Sequence, residues 1–258
     1  MSSVEQIPLP AGRAVYFASD FHLGTPTPQK SREREQRIVR WLDTIRLDAA
    51  VIFLVGDLFD FWFEYRKTVP KGFVRLQGKL AELTDAGHQV IIFTGNHDMW
   101  MQDYFTEEMN IPVYRQPRSY QLGEKRFHIG HGDGLGPGDF VYKKLKVLFE
   151  NGFARSVFRW LHPDVGVAFA DRWSRHSRAA NEEKGEEFLG EEREWLLAYC
   201  REVETRQHHD YYIFGHRHLP LNLSVTANSR YINLGEWLSF NTYARFDGST
   251  TELLKFDR

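Results

Sequence analysis

A single cysteine, Cys200, stands in 258 residues, so no internal disulfide is available and a reducing compartment is expected. No apolar run approaches the ~20 residues that a membrane-spanning helix needs. The opening stretch, MSSVEQIPLPAGR, has no basic start followed by an apolar core, which argues against a secretory signal and for a cytoplasmic protein. Charge is nearly balanced, at −2 overall, which makes the chain a poor nucleic-acid magnet. Neither Pro/Gly-rich linkers nor internal repeats nor low-complexity tracts divide it. The length suits one large domain able to bury a sizeable core. No obligate protein partner is evident.

What is present concentrates at strand ends. Four β-rich runs break off into polar residues: Val15 to His22 (VYFASDFH), Val51 to Asp57 (VIFLVGD), Val90 to Trp100 (VIIFTGNHDMW) and Tyr211 to His218 (YYIFGHRH). The apolar runs predict buried strands over 14–19, 49–55, 89–94 and 211–214. Helical spacing predicts helices over 31–46, with Ile38, Val39, Leu42 and Ile45 on one face, over 69–86 and over 190–204. Two βαβ-like crossovers in succession predict a sheet whose first part is parallel. A hairpin is expected over 119–131. Short strands over 221–225, 230–234, 242–246 and 251–256 predict a second, largely antiparallel sheet. Cys200 falls in an amphipathic helix and reads as a small buried hydrophobe.

The polar residues at the strand ends are Asp20, His22, Asp57, Asn96, His131, His216 and His218. Carboxylate, amide and imidazole ligands without thiolate suit divalent Mn, Fe or Zn. Seven are too many for one ion with an open position, and about right for two ions sharing a carboxylate. Two ions ~3.5–4 Å apart can clamp both oxygens of an in-line displacement at phosphorus. His88, His128, His162, His176, His208 and His209 match no ligand pattern and read as ordinary core or surface residues.

The order Asp20-x-His22, Gly56-Asp57, Gly95-Asn96-His97-Asp98, Gly130-His131 and Gly215-His216-x-His218 resembles the calcineurin-like metallophosphoesterases. The resemblance runs from residue 15 to 218 and implies a four-layer α/β/β/α sandwich. It also implies that Asp20, His22, Asp57 and His218 hold one metal, and that Asp57, Asn96, His131 and His216 hold the second. Manganese is the expected metal, with Fe or Zn as alternatives. His97, beside Asp98, is expected to be catalytic. A carboxylate that fixes its tautomer and favours its cationic form would let it stabilise charge or donate a proton.

Residues 139–188 read as a helical insertion in this single domain. From Phe140 to Ala180, eight Lys/Arg stand against three acids, giving +5 and leaving −7 for the rest of the chain. A basic, aromatic-rich helical flap suits an anionic membrane surface or a substrate with phosphate and acyl chains. It equally suits a cap with solvated charges. Its placement and size, HGDGLGPGD (His131 to Asp139), Ser177-x-x-x-Asn181-x-x-Lys184 and Gly235-Glu236-Trp237 resemble the UDP-2,3-diacylglucosamine hydrolase family of the lipid A pathway. That resemblance implies a lid for acyl chains and water attack at the α-phosphorus of a UDP-linked acylated sugar. It implies peripheral contact with the cytoplasmic face of the inner membrane. The implied substrate contacts are Asp139, Ser177, Asn181 and Lys184, together with Asn96, His97 and His216.

One position departs: that family's well-characterised members carry Arg where this chain has His97. An Arg can grip a diphosphate bidentately and a His cannot. A second reading is therefore the same mechanism on another nucleotide diphosphate or a lipid phosphate. A third is a non-catalytic binding module. The run Phe59, Phe61, Trp62, Phe63, Tyr65 reads as part cleft wall and part core, with Asp60 and Glu64 solvated.

Overall fold

The computed structural model describes residues 4–137, 156–166 and 187–257. Two six-stranded sheets lie face to face. The first has β2 (Ala14–Ala18), β3 (Ala49–Val55), β4 (Gln89–Phe93) and β5 (Val113–Tyr114) in parallel. β11 (Thr242–Phe246) and β12 (Thr251–Lys255) extend it antiparallel beyond β2. The second sheet runs in the order β1 (Glu5–Ile7), β6 (Arg118–Leu122), β7 (Lys125–Ile129), β8 (Tyr211–Phe214), β10 (Ser229–Leu234), β9 (Pro220–Thr226).

Strand alternation sorts the side chains into layers. Val15, Phe17, Val51, Phe53, Ile91 and Phe93 face Tyr120, Phe127, Ile129, Ile213 and Ile232 between the sheets. Tyr16, Ala18, Ile52, Leu54, Val90 and Ile92 face the other way, under α1 (Pro28–Ile45) and α2 (Val74–Asp85). On the far side, Leu196, Leu197 and Cys200 of α4 (Trp195–Glu204) cover Tyr212, Phe214 and Tyr231. The result is the expected α/β/β/α sandwich, with Cys200 buried as anticipated.

Boundaries differ from the sequence reading for local reasons. Helix α1 starts three residues earlier, because Thr27 caps it through its side chain onto the Lys30 N–H and Pro28 takes the first turn. Helix α2 starts later, because Gly72 and Phe73 adopt φ of 111° and 54°. A short α3 (Tyr104–Met109) escaped notice. The expectation for the late strands is corrected. They divide between the sheets, and the second sheet is mixed: β1–β6, β7–β8 and β8–β10 are parallel, while β6–β7 and β9–β10 are antiparallel. Alternation in a strand records its buried face but not which sheet receives it. Among the described residues no helix is long and apolar enough to cross a membrane.

On the outer face of the second sheet sit two buried histidines that match no ligand pattern. His209 Nδ1–H donates to the Gln207 carbonyl (3.0 Å), and its Nε2 meets Ser119 Oγ (2.8 Å). His128 Nδ1 meets the same hydroxyl (3.4 Å), and its Nε2 meets Tyr199 OH (3.1 Å). Each ring serves as one donor and one acceptor, which only the neutral form can do. Burial pushes His128 down to about 3 and His209 to about 4.

Two outcomes follow for stability. Phe53 is fully buried, stacked on Phe17 (5.2 Å) and edge-on to Tyr120 (5.0 Å) between the sheets. Phe53→Ala should cost about 3–5 kcal/mol in urea denaturation. For His128, the unfolded chain takes up a proton near pH 6.5 and the folded chain only near 3. Stability is thus retained above 6.5 and lost as pH falls through that window. His128→Gln, neutral throughout, should flatten the loss of urea midpoint between pH 7 and 4 relative to wild type.

Candidate metal centre

Parallel strands end on the same side, so the loops after β2, β3, β4, β7 and β8 converge. The loop after β2 runs along the loop after β3: the Asp20 N–H donates to the Gly56 carbonyl (3.0 Å) and the His22 N–H to the Asp57 carbonyl (2.9 Å). The buried Arg34 of α1 clamps it from outside, with Nη2 donating to the His22 and Thr25 carbonyls at 2.6 Å each. The His216 N–H donates to Asp20 Oδ2 (3.0 Å), which ties in the loop after β8. Asp20, His22, Asp57, His216 and His218 all have positive φ, between 44° and 66°. Non-glycine residues rarely adopt that region, and such strain gathers at functional sites.

Among the described residues three groups of donor atoms result: Asp20, His22, His218; Asp57, His131, His216; and His22, Asp60, His97, which shares His22 with the first. In the first, Asp20 Oδ1 lies 3.2 Å from His218 Nε2 and 3.6 Å from His22 Nε2. The two Nε2 atoms stand 3.1 Å apart. In the second, His131 Nε2 is 3.2 Å from Asp57 Oδ2, and the His131 and His216 rings are 5.1 Å apart. His22 Nε2 lies 3.9 Å from Asp57 Oδ2, which places Asp57 between the groups. The His131 Nδ1–H donates to the Val55 carbonyl (2.9 Å), turning the Nε2 lone pair inward.

Asp20 Oδ1, Asn96 Oδ1 and His131 Nε2 are buried and accept no hydrogen bond. Buried polar atoms are rarely left so. Gly95 closes the cradle, since a Cβ there would run into Asp57 Oδ1 and His131 Nε2. The donor set fits two divalent cations sharing Asp57. Electrostatics agree. Burial alone would raise the carboxyls of Asp20 and Asp57, yet the surrounding imidazoles hold both well below the usual carboxylate range. Burial lowers His131, but the Asp57 carboxylate more than reverses it and lifts the ring to about 10, so a cation at Nε2 would take the place of a proton there. Burial and the neighbouring His131 drive His216 down to about 4.

The family model for calcineurin-like phosphoesterases matches residues 14–220. This chain belongs to that family. It is a metal-dependent phosphoesterase. It is 37% identical over 257 residues to a UDP-2,3-diacylglucosamine hydrolase of Porphyromonas gingivalis, covering 93% of this chain and 96% of that protein. Proteins of the same name from Ectopseudomonas mendocina and Proteus mirabilis are 26% and 23% identical. Those two alignments cover 86% and 93% of this chain, and 90% and 98% of the relatives.

The phosphoesterase arranges the neighbours of His97 differently from the sequence expectation. Asp60 is buried, not solvated. Its carbonyl accepts from His97 Nδ1–H (3.0 Å), and its Oδ1 lies 3.8 Å from that atom and 3.5 Å from His22 Nδ1. Asp98 instead braces the turn: Oδ1 accepts from the Gly95 N–H (2.7 Å) and Oδ2 from the Leu58 N–H (2.8 Å). The His97 N–H donates to Asp57 Oδ1 (2.8 Å). Burial outweighs the carboxylates of Asp57 and Asp60, so the ring titrates below its ordinary value rather than above it. Asp60 was legible as the acid three residues past Asp57, but its aromatic neighbours disguised it.

Glu64 is buried as well. It accepts from Trp62 Nε1 (3.0 Å) and from the Asp103 (2.9 Å) and Tyr104 (3.1 Å) N–H groups at the start of α3. Phe59, Trp62 and Phe63 are core, while Phe61 is partly exposed beside Trp100 and Phe158. A second residue missed is Asp133, buried two positions past His131, whose charge acts on His131 and His216. Asp139, Ser177, Asn181 and Lys184 lie outside the described residues.

Gly95 has an ordinary backbone that alanine can adopt, so the space alone is at stake. Gly95→Ala should leave the far-ultraviolet circular dichroism intact and weaken Mn²⁺ binding at least tenfold by calorimetric titration. Retained affinity would contradict the cradle.

Proposed function

We propose that this phosphoesterase hydrolyses UDP-2,3-diacylglucosamine to UMP and 2,3-diacylglucosamine 1-phosphate, a step of lipid A biosynthesis. The observation that carries the reading is the Asp57-centred donor cluster in a chain 37% identical, over nearly its whole length, to a hydrolase of that name. Asp20, His22, Asp57 and His218 hold one cation, and Asp57, Asn96, His131 and His216 the other. Manganese is the proposed ion, with Fe or Zn compatible with the same donors. Bound there, the pair supplies positive charge for the phosphoryl oxygens and lowers the pKa of water.

The chain's own groups do the rest. His131 keeps its proton on Nδ1 through the Val55 carbonyl, so Nε2 remains a donor of electrons. His97 has Nδ1 committed to the Asp60 carbonyl, so chemistry with substrate falls to Nε2. In the neutral ring that atom carries no proton, so it stabilises charge on the diphosphate or passes a proton to the leaving group only after taking one up. Asp98 fixes the turn that presents Asn96 and His97. The insertion, residues 139–188 of a single domain, holds the acyl chains, with Asp139, Ser177, Asn181 and Lys184 as polar contacts. Its basic and aromatic composition supports work at the cytoplasmic face of the inner membrane.

A second reading keeps the mechanism and changes the substrate to another nucleotide diphosphate or a lipid phosphate. His97, in place of an arginine that would clamp a diphosphate, favours it. One assay separates the two: purified protein with Mn²⁺ and UDP-2,3-diacylglucosamine should release UMP. No UMP alongside hydrolysis of bis(p-nitrophenyl) phosphate would leave only the second reading. Asn96→Ala or His131→Ala should lower metal-dependent turnover roughly hundredfold or more. Unchanged turnover would defeat the dimetal reading itself.

A further inference from the structure

Arg217 sits between two expected ligands, His216 and His218, one from each donor group. Its side chain leaves the site and enters a buried network. Nε donates to Glu194 Oε2 (3.1 Å) and Nη2 to the Glu187 carbonyl (2.9 Å), with the guanidinium 4.9 Å over the Trp195 ring. Glu194, 2% exposed, opens α4. Its other oxygen accepts from Tyr231 OH (3.4 Å). Asn233 Nδ2 donates to that hydroxyl (3.2 Å) and to the Gly215 carbonyl (2.5 Å). The network thus begins and ends on the same short loop, residues 215–218.

That loop is strained. His216 and His218 have φ of 66° and 55°, and the Arg217 N–H folds back onto the Gly215 carbonyl (2.7 Å). Left-handed residues persist only where the surroundings over-determine them. Besides the bonds from the Gly215 N–H to the His131 carbonyl and from the His216 N–H to Asp20, the loop is held from the α4 side by Asn233 at its start and through Arg217 at its centre. Glu187 lies at the end of the expected insertion, so the same guanidinium also fastens the returning chain to the ligand loop.

We propose that Arg217, locked by Glu194, is a positioning residue that sets His216 and His218 together and so tunes both metal sites through one side chain. This rests on the dimetal reading above. It is specific to this pair. Arg217 touches no donor atom, and its planar fork satisfies two acceptors while lying on an indole, which a lysine ammonium cannot reproduce. A merely structural ion pair would change stability and leave metal affinity alone. A positioning pair changes affinity at both sites.

The test is calorimetric titration of Mn²⁺ into the metal-stripped full chain. The set is wild type, Arg217→Met, Arg217→Lys, Glu194→Gln and the Met/Gln double variant, each also measured by circular dichroism and urea denaturation. Expected are two sites in wild type and about tenfold or greater loss at both in Arg217→Met and Glu194→Gln. The double variant should be no worse than either single one, because the two residues act as a unit. Arg217→Lys should recover part of the loss. Glu194→Gln preserves side-chain volume and carries the test if Arg217→Met misfolds. Wild-type affinity at both sites in folded Arg217→Met or in Glu194→Gln, or loss at one site alone, would overturn the proposal. A wild-type chain that binds no Mn²⁺ would overturn the dimetal reading and this inference with it.

Discussion

The buried carboxylate of Asp57 is the constraint around which the centre is arranged. An ion of that size taken from water costs several kcal/mol unless opposite charge and donors surround it. Here His131 faces one oxygen and the His97 N–H the other, and His22 stands just beyond. Those groups come from the ends of three other strands. The requirement of one buried charge therefore fixes how closely four loops must approach. It also explains the glycines beside it. At Gly56, φ of 86° carries the chain out of β3, and a Cβ would strike the His131 ring.

Strain is the companion of that convergence. Five of the seven expected ligands have left-handed backbones, at roughly 1–3 kcal/mol each. The offset comes from elsewhere. Interlocked rings between the sheets, Phe17 on Phe53 and Phe127 on Tyr211, hold the strands whose ends are strained. Arg34 and Arg217 then grip the loops themselves, each through more than one acceptor. A rigid sandwich and clamped loops hold carboxylate and imidazole donor atoms crowded against one another, with Asp20 Oδ1 3.2 Å from His218 Nε2 and Asp57 Oδ2 3.2 Å from His131 Nε2. Cations are what such an arrangement accommodates.

Much of this was legible, and the pattern of success is physical. Buried parallel strands such as Ala49–Val55 and Tyr211–Phe214 were placed to the residue, because continuous apolar runs ended by glycine leave few alternatives. The expected ligands stood out because donor residues close each of these strands, and the fold brings Asp20, His22 and His218 together, and likewise Asp57, His131 and His216. Sheet membership of β9 through β12 was not, since period-2 alternation is the same in either sheet. Asp60 and Glu64 were misjudged for a related reason. Charges inside an aromatic run are usually solvated. These two are buried because each finds specific partners far along the chain, His22 and His97 for one, the start of α3 for the other.

Asp60 and Asp98 show how environment divides labour between identical groups. Next-door sequence pairs Asp98 with His97. In the fold, both Asp98 oxygens accept backbone N–H groups, and burial beside the Asp57 charge lifts its carboxyl to about 7. Such a group is suited to holding a turn and ill suited to carrying a dependable negative charge beside an imidazole. Asp60 offers His97 a carbonyl, which fixes a tautomer without titrating, and keeps a carboxylate within reach of both His22 and His97. One residue thus touches His22 of the first donor group and the proposed acid at once. Replacing His97 by a longer cation would have to disturb that shared contact. The ring at this position is therefore bound to the rest of the centre through Asp60, and its identity is a property of the whole site rather than of one turn.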